Sequence, residues 1–224
     1  MKIESHEYLH TMGRDVCPHC KQARKYFCYK CLKVMGDPTK VPKITLPIQL
    51  DILWWPKESR SKSTAVHAAI LAPESTTFHA YPDIPDYNVE EVLLLFPAEG
   101  TPSVAEFSEW KSIKRVIFID SQWHAAGKIL RDNKVKKLKT IKITNQQTLF
   151  WRYQLEGKHC LSTIEAIYYF FKEYQEKMNG SYSGEYDNLL YYFSFYYNLI
   201  QDQYKHGDKP FPRMEDYVKL EKDV

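Results

Sequence analysis

Four cysteines near the start of the chain have a spacing that suits one metal ion. Cys17 and Cys20 form one C-x2-C pair and Cys28 and Cys31 a second, with seven residues between the pairs. Each pair makes a tight knuckle, and the short link can close four thiolates around one tetrahedral centre. Zinc fits all-sulfur ligation of this kind, and the ion would fold a segment too small for a core of its own. The separation is shorter than the commonest ribbon spacing, so His10 or His19 stands as a substitute for one thiolate. The competing explanations are a redox dithiol and buried free thiols, but redox C-x-x-C motifs usually come singly beside a strand-helix unit. Cys160 has no partner at such a spacing and fits a packed thiol better than a nucleophile.

Asp120 is the second chemically suggestive residue. It ends the apolar run 114–120, and the carboxyl ends of buried parallel strands are where open α/β sheets place ligand sites. The sequence Ser121-Gln122-Trp123 follows directly. A carboxylate there can act as a general base or can cap the next helix, and position alone favours neither. The segments 96–100 and 161–163 sit where they could line the same crevice, or serve only as turn and cap. A third feature is the basic stretch Lys128, Arg131, Lys134, Lys136, Lys137, Lys139 and Lys142, opposed only by Asp132. Such a run is usually a solvated face. Lys21, Arg24, Lys25, Lys30 and Lys33 in the knuckle, with Arg60, Lys62 and Arg152 in the body, make a phosphate-binding surface an equal contender. Tyr26, Phe27 and Tyr29, interleaved with those cations, are better base-stacking candidates than the aromatics of the last two helices.

The elements that must position these groups follow from periodicity. Residues 44–52 alternate strictly, which predicts a half-buried strand with Asp51 on its polar face, near a sheet edge because of Pro47. Residues 63–71 predict a short helix and 76–81 a strand. The unbroken apolar runs 91–96 and 114–120 predict strands covered on both faces, and a helix over 103–110 between them makes the pair parallel. A helix over 121–131, a strand over 138–144, a capped helix over 162–178 and a last helix over 185–205 complete the pattern. The chain of 224 residues is 44% hydrophobic and 26% charged, which excludes a disordered tail. Five cysteines are too few for a disulfide-built scaffold, no apolar run can cross a bilayer, and residues 1–15 lack a signal-like core. The expectation is a soluble intracellular protein without a membrane partner. A net charge of +3 permits a polyanionic partner without requiring one.

These residues together carry a resemblance to a known family. The paired cysteines, the segment 56–58 leading to Lys62-Ser63-Thr64-Ala65, the Phe96-Pro97 loop, the Asp-x-x-Trp signature at Asp120 and Trp123, and the run 161–166 occur in the order seen in the DTW-domain tRNA-uridine aminocarboxypropyltransferases. The similarity covers nearly the whole chain. One departure is Gln122, where the family usually has Thr.

The resemblance implies a SPOUT-like α/β fold: a mostly parallel sheet flanked by helices, with a trefoil knot around S-adenosylmethionine. It divides the chain into a cysteine-rich metal-binding segment, 1–40, and a catalytic domain, 41–224. The implied reaction moves the 3-amino-3-carboxypropyl group from the sulfonium to N3 of a tRNA uridine, at D-loop position 20, and leaves methylthioadenosine. Asp120 is then the general base, with Ser121 and Trp123 beside it. Phe96, Pro97, Glu99, Gly100, Leu161, Ser162 and Thr163 hold the donor. Ser63 and Thr64 contact the aminocarboxypropyl group or a phosphate, and the basic-surface reading adds Lys134, Lys136, Lys137 and Arg152 as contacts to the RNA. Zinc on Cys17, Cys20, Cys28 and Cys31 is structural, and of nucleus and cytoplasm the resemblance favours the nucleus. A methyltransferase on the same fold and a non-catalytic RNA-binding module remain as rivals.

Overall fold

The computed structural model describes residues 1–150 and 160–206. Its centre is a five-stranded parallel sheet in the order β6-β5-β8-β7-β9. The strands are β5 (Gln49–Trp54), β6 (Thr76–Ala80), β7 (Val92–Leu95), β8 (Arg115–Asp120) and β9 (Lys139–Ile141). Before them lie α1 (Glu7–Thr11) and two short antiparallel hairpins, β1 (Asp15–Val16) with β2 (Ala23–Arg24) and β3 (Phe27–Cys28) with β4 (Lys33–Val34). The helices of the body are α2 (Ala65–Leu71), α3 (Trp123–Leu130), α4 (Thr163–Asn179) and α5 (Tyr191–His206). No described helix is long and apolar enough to cross a membrane.

β8 shows why the apolar runs are unbroken. Val116 and Phe118 enter the large core shared with α2, α4 and α5, while Ile117 packs with Ile129 of α3 in a second core behind the sheet. Each face of the strand is covered, so neither can be polar. On the larger side the packing is dominated by aromatic rings, with Phe118 edge-on to Phe170 at 5.8 Å and Trp110 edge-on to Tyr174 at 4.9 Å.

Several expectations need correction. β5 starts only at Gln49 and runs between β6 and β8, one strand in from the sheet edge. Residues 44–48 instead lie outside any strand, with Ile44, Leu46 and Ile48 buried and Thr45 and Pro47 exposed; the Ile44 amide donates to the Leu71 carbonyl at 2.7 Å, and Pro47 precedes the ladder. The helix expected over 103–110 does not form. Its capping-box bonds do: the Ser103 amide donates to Glu106 at 2.7 Å and the Glu106 amide to Ser103 Oγ at 3.3 Å. The turn stops because Ser103 bridges to Lys142 and the Val104 amide donates to the Lys142 carbonyl, which draws the backbone into the sheet. The last helix begins six residues late, after a 3-10 turn over Asp187–Leu190. There the buried Asp187 carboxylate accepts from the Tyr168 and Tyr182 hydroxyls at 3.0 and 2.7 Å, side-chain bonds that compete with helix geometry.

The cysteine-rich segment is packed onto the body. Leu9 and Tyr26 belong to the large core, and Phe27 lies edge-on to Tyr192 at 4.8 Å. Tyr26 is itself buried against Phe195 and Tyr196, so of the three stacking candidates only Tyr29 keeps a ring outside the aromatic core.

Asp51, which alternation places on the outer face of its strand, is 1% exposed. Because the sheet is covered on both faces, its carboxylate lies beneath the surface. It accepts from Arg115 Nη1, from Tyr87 Oη at 2.7 Å, and pairs with His79 Nε2 at 3.0 Å. Burial, and then Asp51 itself, push the Tyr87 phenol upward, so the phenol stays a donor at ordinary pH. Removing one partner of a buried, satisfied charge network costs about 3–5 kcal/mol. Asp51→Ala is therefore expected to lose stability of that order in denaturant titration, and a loss below about 1 kcal/mol would show that the network contributes little.

Candidate active site

The site lies at the carboxyl ends of β7, β8 and β9. Asp120 ends β8 and is 7% exposed. α4 begins beside it, with Thr163 Oγ1 donating to Asp120 Oδ1 at 2.8 Å. α2 begins on the same side, where Thr64 Oγ1 accepts the Ile164 amide at 3.2 Å and so ties the starts of the two helices together. The Ser63 hydroxyl is close enough to Asp120 to help hold its carboxylate, although it makes no hydrogen bond of good geometry. Three segments that are far apart in sequence, 63–64, 120 and 161–163, thus meet at one carboxylate.

Burial raises the Asp120 carboxyl above the usual carboxylate range. The Ser63 and Thr163 hydroxyls and the Arg60 guanidinium pull the other way, and Glu58 adds to the rise. Arg60 is held over the Trp54 ring at 4.4 Å. Glu58 accepts the Gln122 amide at 2.6 Å, an arrangement that serves the first turn of α3 in place of a side-chain cap from Gln122 itself. A buried carboxyl with a raised pKa is a stronger base than a surface Asp, which suits removal of a proton from a weak N–H acid.

Next to Asp120 is a cleft of about 200 Å³, lined by Phe96, Pro97, Phe118, Ser121, Leu161 and Thr163, among others. Among the described residues, Lys142 is the only charged one that lines it. Of the expected cofactor residues, Phe96, Pro97, Leu161 and Thr163 line the cleft. Glu99 and Gly100 are exposed and do not, and the Ser162 hydroxyl is used in the capping box of α4, donating to Glu165 at 2.7 Å. Trp123 opens α3 with its side chain outside the described residues, and Arg152 lies outside them altogether. Thr144, Asn145 and Gln146 also line the cleft, and sequence reasoning missed them. They follow β9, so the strand-end rule that found Asp120 could have found them. Glu165 holds this loop, accepting from the Leu149 amide at 2.7 Å and Thr148 Oγ1 at 2.8 Å.

The four cysteine sulfurs lie within 4.8 Å of one another, and no histidine joins the group among the described residues. Cys17 and Cys28 are buried. Cys31 is pushed up to about 12 by burial and by its neighbouring thiols, while the amides and sulfurs around Cys28 bring it down to about 6 against the effect of burial. Four sulfurs this close, from two C-x2-C knuckles, could hold one tetrahedral cation as thiolates, which is the fit expected of a zinc site.

A DTW domain model matches residues 25–201. The chain belongs to the DTW-domain family. Among its DTW-domain relatives, tRNA-uridine aminocarboxypropyltransferase 1 of Xenopus laevis is 34% identical over 249 residues, covering 91% of this chain and 86% of that protein. The mouse protein of the same name, from Mus musculus, is 34% identical over 250 residues, covering 90% and 82%. A slighter likeness is to the solved SAM-dependent rRNA:acp-transferase Tsr3 of Vulcanisaeta distributa, with a TM-score of 0.41 and 18% identity over 67% of this chain and 82% of that one. That likeness is too small to argue from.

Proposed function

We propose that this DTW-domain protein transfers the 3-amino-3-carboxypropyl group of S-adenosylmethionine to N3 of a tRNA uridine and releases methylthioadenosine. The observation that carries the reading is Asp120, buried and held by Thr163 beside an apolar cleft, in a chain 34% identical to curated tRNA-uridine aminocarboxypropyltransferases. The target is taken as the D-loop uridine at position 20, and the compartment as the nucleus, on the family resemblance.

The residues suit the chemistry. Phe96, Pro97, Phe118 and Leu161 give the cleft an apolar wall that excludes water, and Lys142 supplies a counter-charge for the donor's carboxylate. S-adenosylmethionine supplies an activated carbon whose bond to sulfur breaks with the electron pair leaving on a neutral thioether. Uridine N3 is a poor nucleophile while it carries its imide proton. Asp120 Oδ takes that proton as N3 forms the new C–N bond, and Thr163 Oγ1 keeps the carboxylate oriented. Thr64 is occupied in joining α2 to α4, so its contribution is to position the site. Cys17, Cys20, Cys28 and Cys31 hold one zinc with a structural role.

The fold reading includes a trefoil knot. What supports it is the clasp of loop 96–104 on β9, through the Phe96 amide on the Ile141 carbonyl and the Lys142 amide on the Pro102 carbonyl, both at 3.0 Å, followed by the return of the chain to α4 beside β8.

The test is incubation of purified protein with S-adenosylmethionine and unmodified tRNA, followed by mass spectrometry of both products. Methylthioadenosine and a uridine carrying the aminocarboxypropyl group are expected. S-adenosylhomocysteine with a methylated base would make the protein a methyltransferase, and cofactor binding without turnover would remove the enzymatic reading.

A further inference from the structure

A second and larger cavity, of about 470 Å³, opens on the other side of the Ser63-Thr64 pair, between the cysteine knuckle, the start of α2 and α5. Arg14, Arg24, Lys25 and Lys62 line it, and among the described residues no carboxylate does. Among the described residues Arg14, Arg24 and Lys25 form no ion pair, and Arg14 is exposed. Tyr29 contributes an aromatic face, with the Arg24 guanidinium stacked 4.1 Å over it. Ser61, whose Oγ shares a 2.7 Å bond with Ser59 Oγ, and Ser63, whose Oγ is buried beside Asp120, complete that part of the wall.

The basic stretch that the sequence made prominent is different. Lys134 donates to the Ile84 carbonyl at 2.8 Å and pairs with Asp86 at 3.2 Å, and Lys139 is held between Glu90 at 2.7 Å and Glu109 at 2.8 Å. Only part of that run is open to a phosphate.

We propose that the groove between the knuckle and α2 is the RNA entrance, where backbone phosphates of the substrate are held beside the target uridine. This rests on the transferase reading and deepens it. Clustered cations with no acidic group in the described lining, beside an aromatic face, are the chemistry of a single-stranded RNA groove. Ser63 and Thr64 line it, Ser63 lies beside Asp120, and Thr163, which holds Asp120, lines the apolar cleft. Ser63 and Thr64 thus stand between the groove and the carboxylate, and the cysteine knuckle forms one wall of the groove.

The test compares the triple variant Arg14→Gln, Lys25→Gln, Lys62→Gln with the triple Lys134→Gln, Lys136→Gln, Lys137→Gln. Each is titrated with an unmodified tRNA transcript over a range of salt. The knuckle triple is expected to bind roughly tenfold or more weakly at physiological salt and to lower the salt slope by about two to three, since each phosphate left without its cation lowers it by about one. Its zinc content, melting temperature and S-adenosylmethionine affinity should match the parent. Parent-like affinity and slope in the knuckle triple would overturn the proposal. In the unaltered protein, light-induced crosslinks to thiouridine-substituted tRNA are expected on peptides containing Tyr29 or Ser61. Crosslinks confined to 134–142 would overturn it as well. Turnover is read in parallel, so a parent that transfers nothing removes the proposed function, while a groove that fails to hold RNA removes only this inference.

Discussion

Asp120→Asn is expected to fold, to bind donor and tRNA, and to lose turnover by about 10²-fold or more, because Asn keeps the size and the hydrogen bond but cannot accept the imide proton. Thr163 Oγ1 can still donate to the Asn carbonyl, so the start of α4 should keep its place. The pH profile separates this from a capping role. Burial raises the Asp120 pKa, so the base form is present only above that raised value. The parent's kcat/KM should therefore fall on the acid side at a pH above the ordinary Asp range. That limb should be missing in the Asn variant, whose residual rate should instead climb as alkali ionises the uridine imide. Linkage gives an independent sign. A carboxyl whose folded pKa is raised contributes most to stability below its unfolded pKa and loses that contribution as pH rises through the folded value. At neutral pH the Asn variant should consequently be no less stable than the parent. A stable variant with full turnover would move the base elsewhere.

Loss of the metal should have the largest effect on stability. Structural zinc contributes on the order of 10 kcal/mol in small all-ligand sites, and here the ligands also hold β3, whose Phe27 packs on Tyr192 and His67. Metal analysis is expected to find one zinc per chain, and Cys28→Ser to remove it. If even a few kcal/mol reach the body, melting should fall on the order of 10 °C, since each kcal/mol shifts a domain of this size by about 2–4 °C. RNA affinity should fall with it, because the knuckle lines the basic groove. Cys17→Ser and Cys28→Ser proteins with parental zinc content and melting would show that no such site exists.

Local chemistry carried much of this in plain view. Cysteine spacing announced the cluster because two knuckles and a short link leave few other geometries. The run 114–120 announced a doubly covered strand, and the rule for strand ends then put Asp120 at a site. The capping box at Ser162 and Glu165 placed α4 within one residue. The resemblance added the reaction.

The errors share one cause. Alternation over 44–52 put Asp51 in solvent, since a two-residue period reports which side chains share a face and not whether the other face is covered. Ser103 and Glu106 formed their capping box without a helix because Ser103 bridges to Lys142 and the next amide, Val104's, donates to the Lys142 carbonyl. Charge counting drew attention to 128–142, yet Glu90, Glu109 and Asp86 come from elsewhere in the chain to neutralise part of it. The knuckle cations, less dense in sequence, line a groove with no acidic group in its described lining. Sequence determined which groups were present and how each short segment could fold. Only tertiary structure decided which charges were paired and which three segments met at Asp120, because Coulomb and hydrogen-bond partners are chosen by distance in space, and that distance is set by packing of both sheet faces.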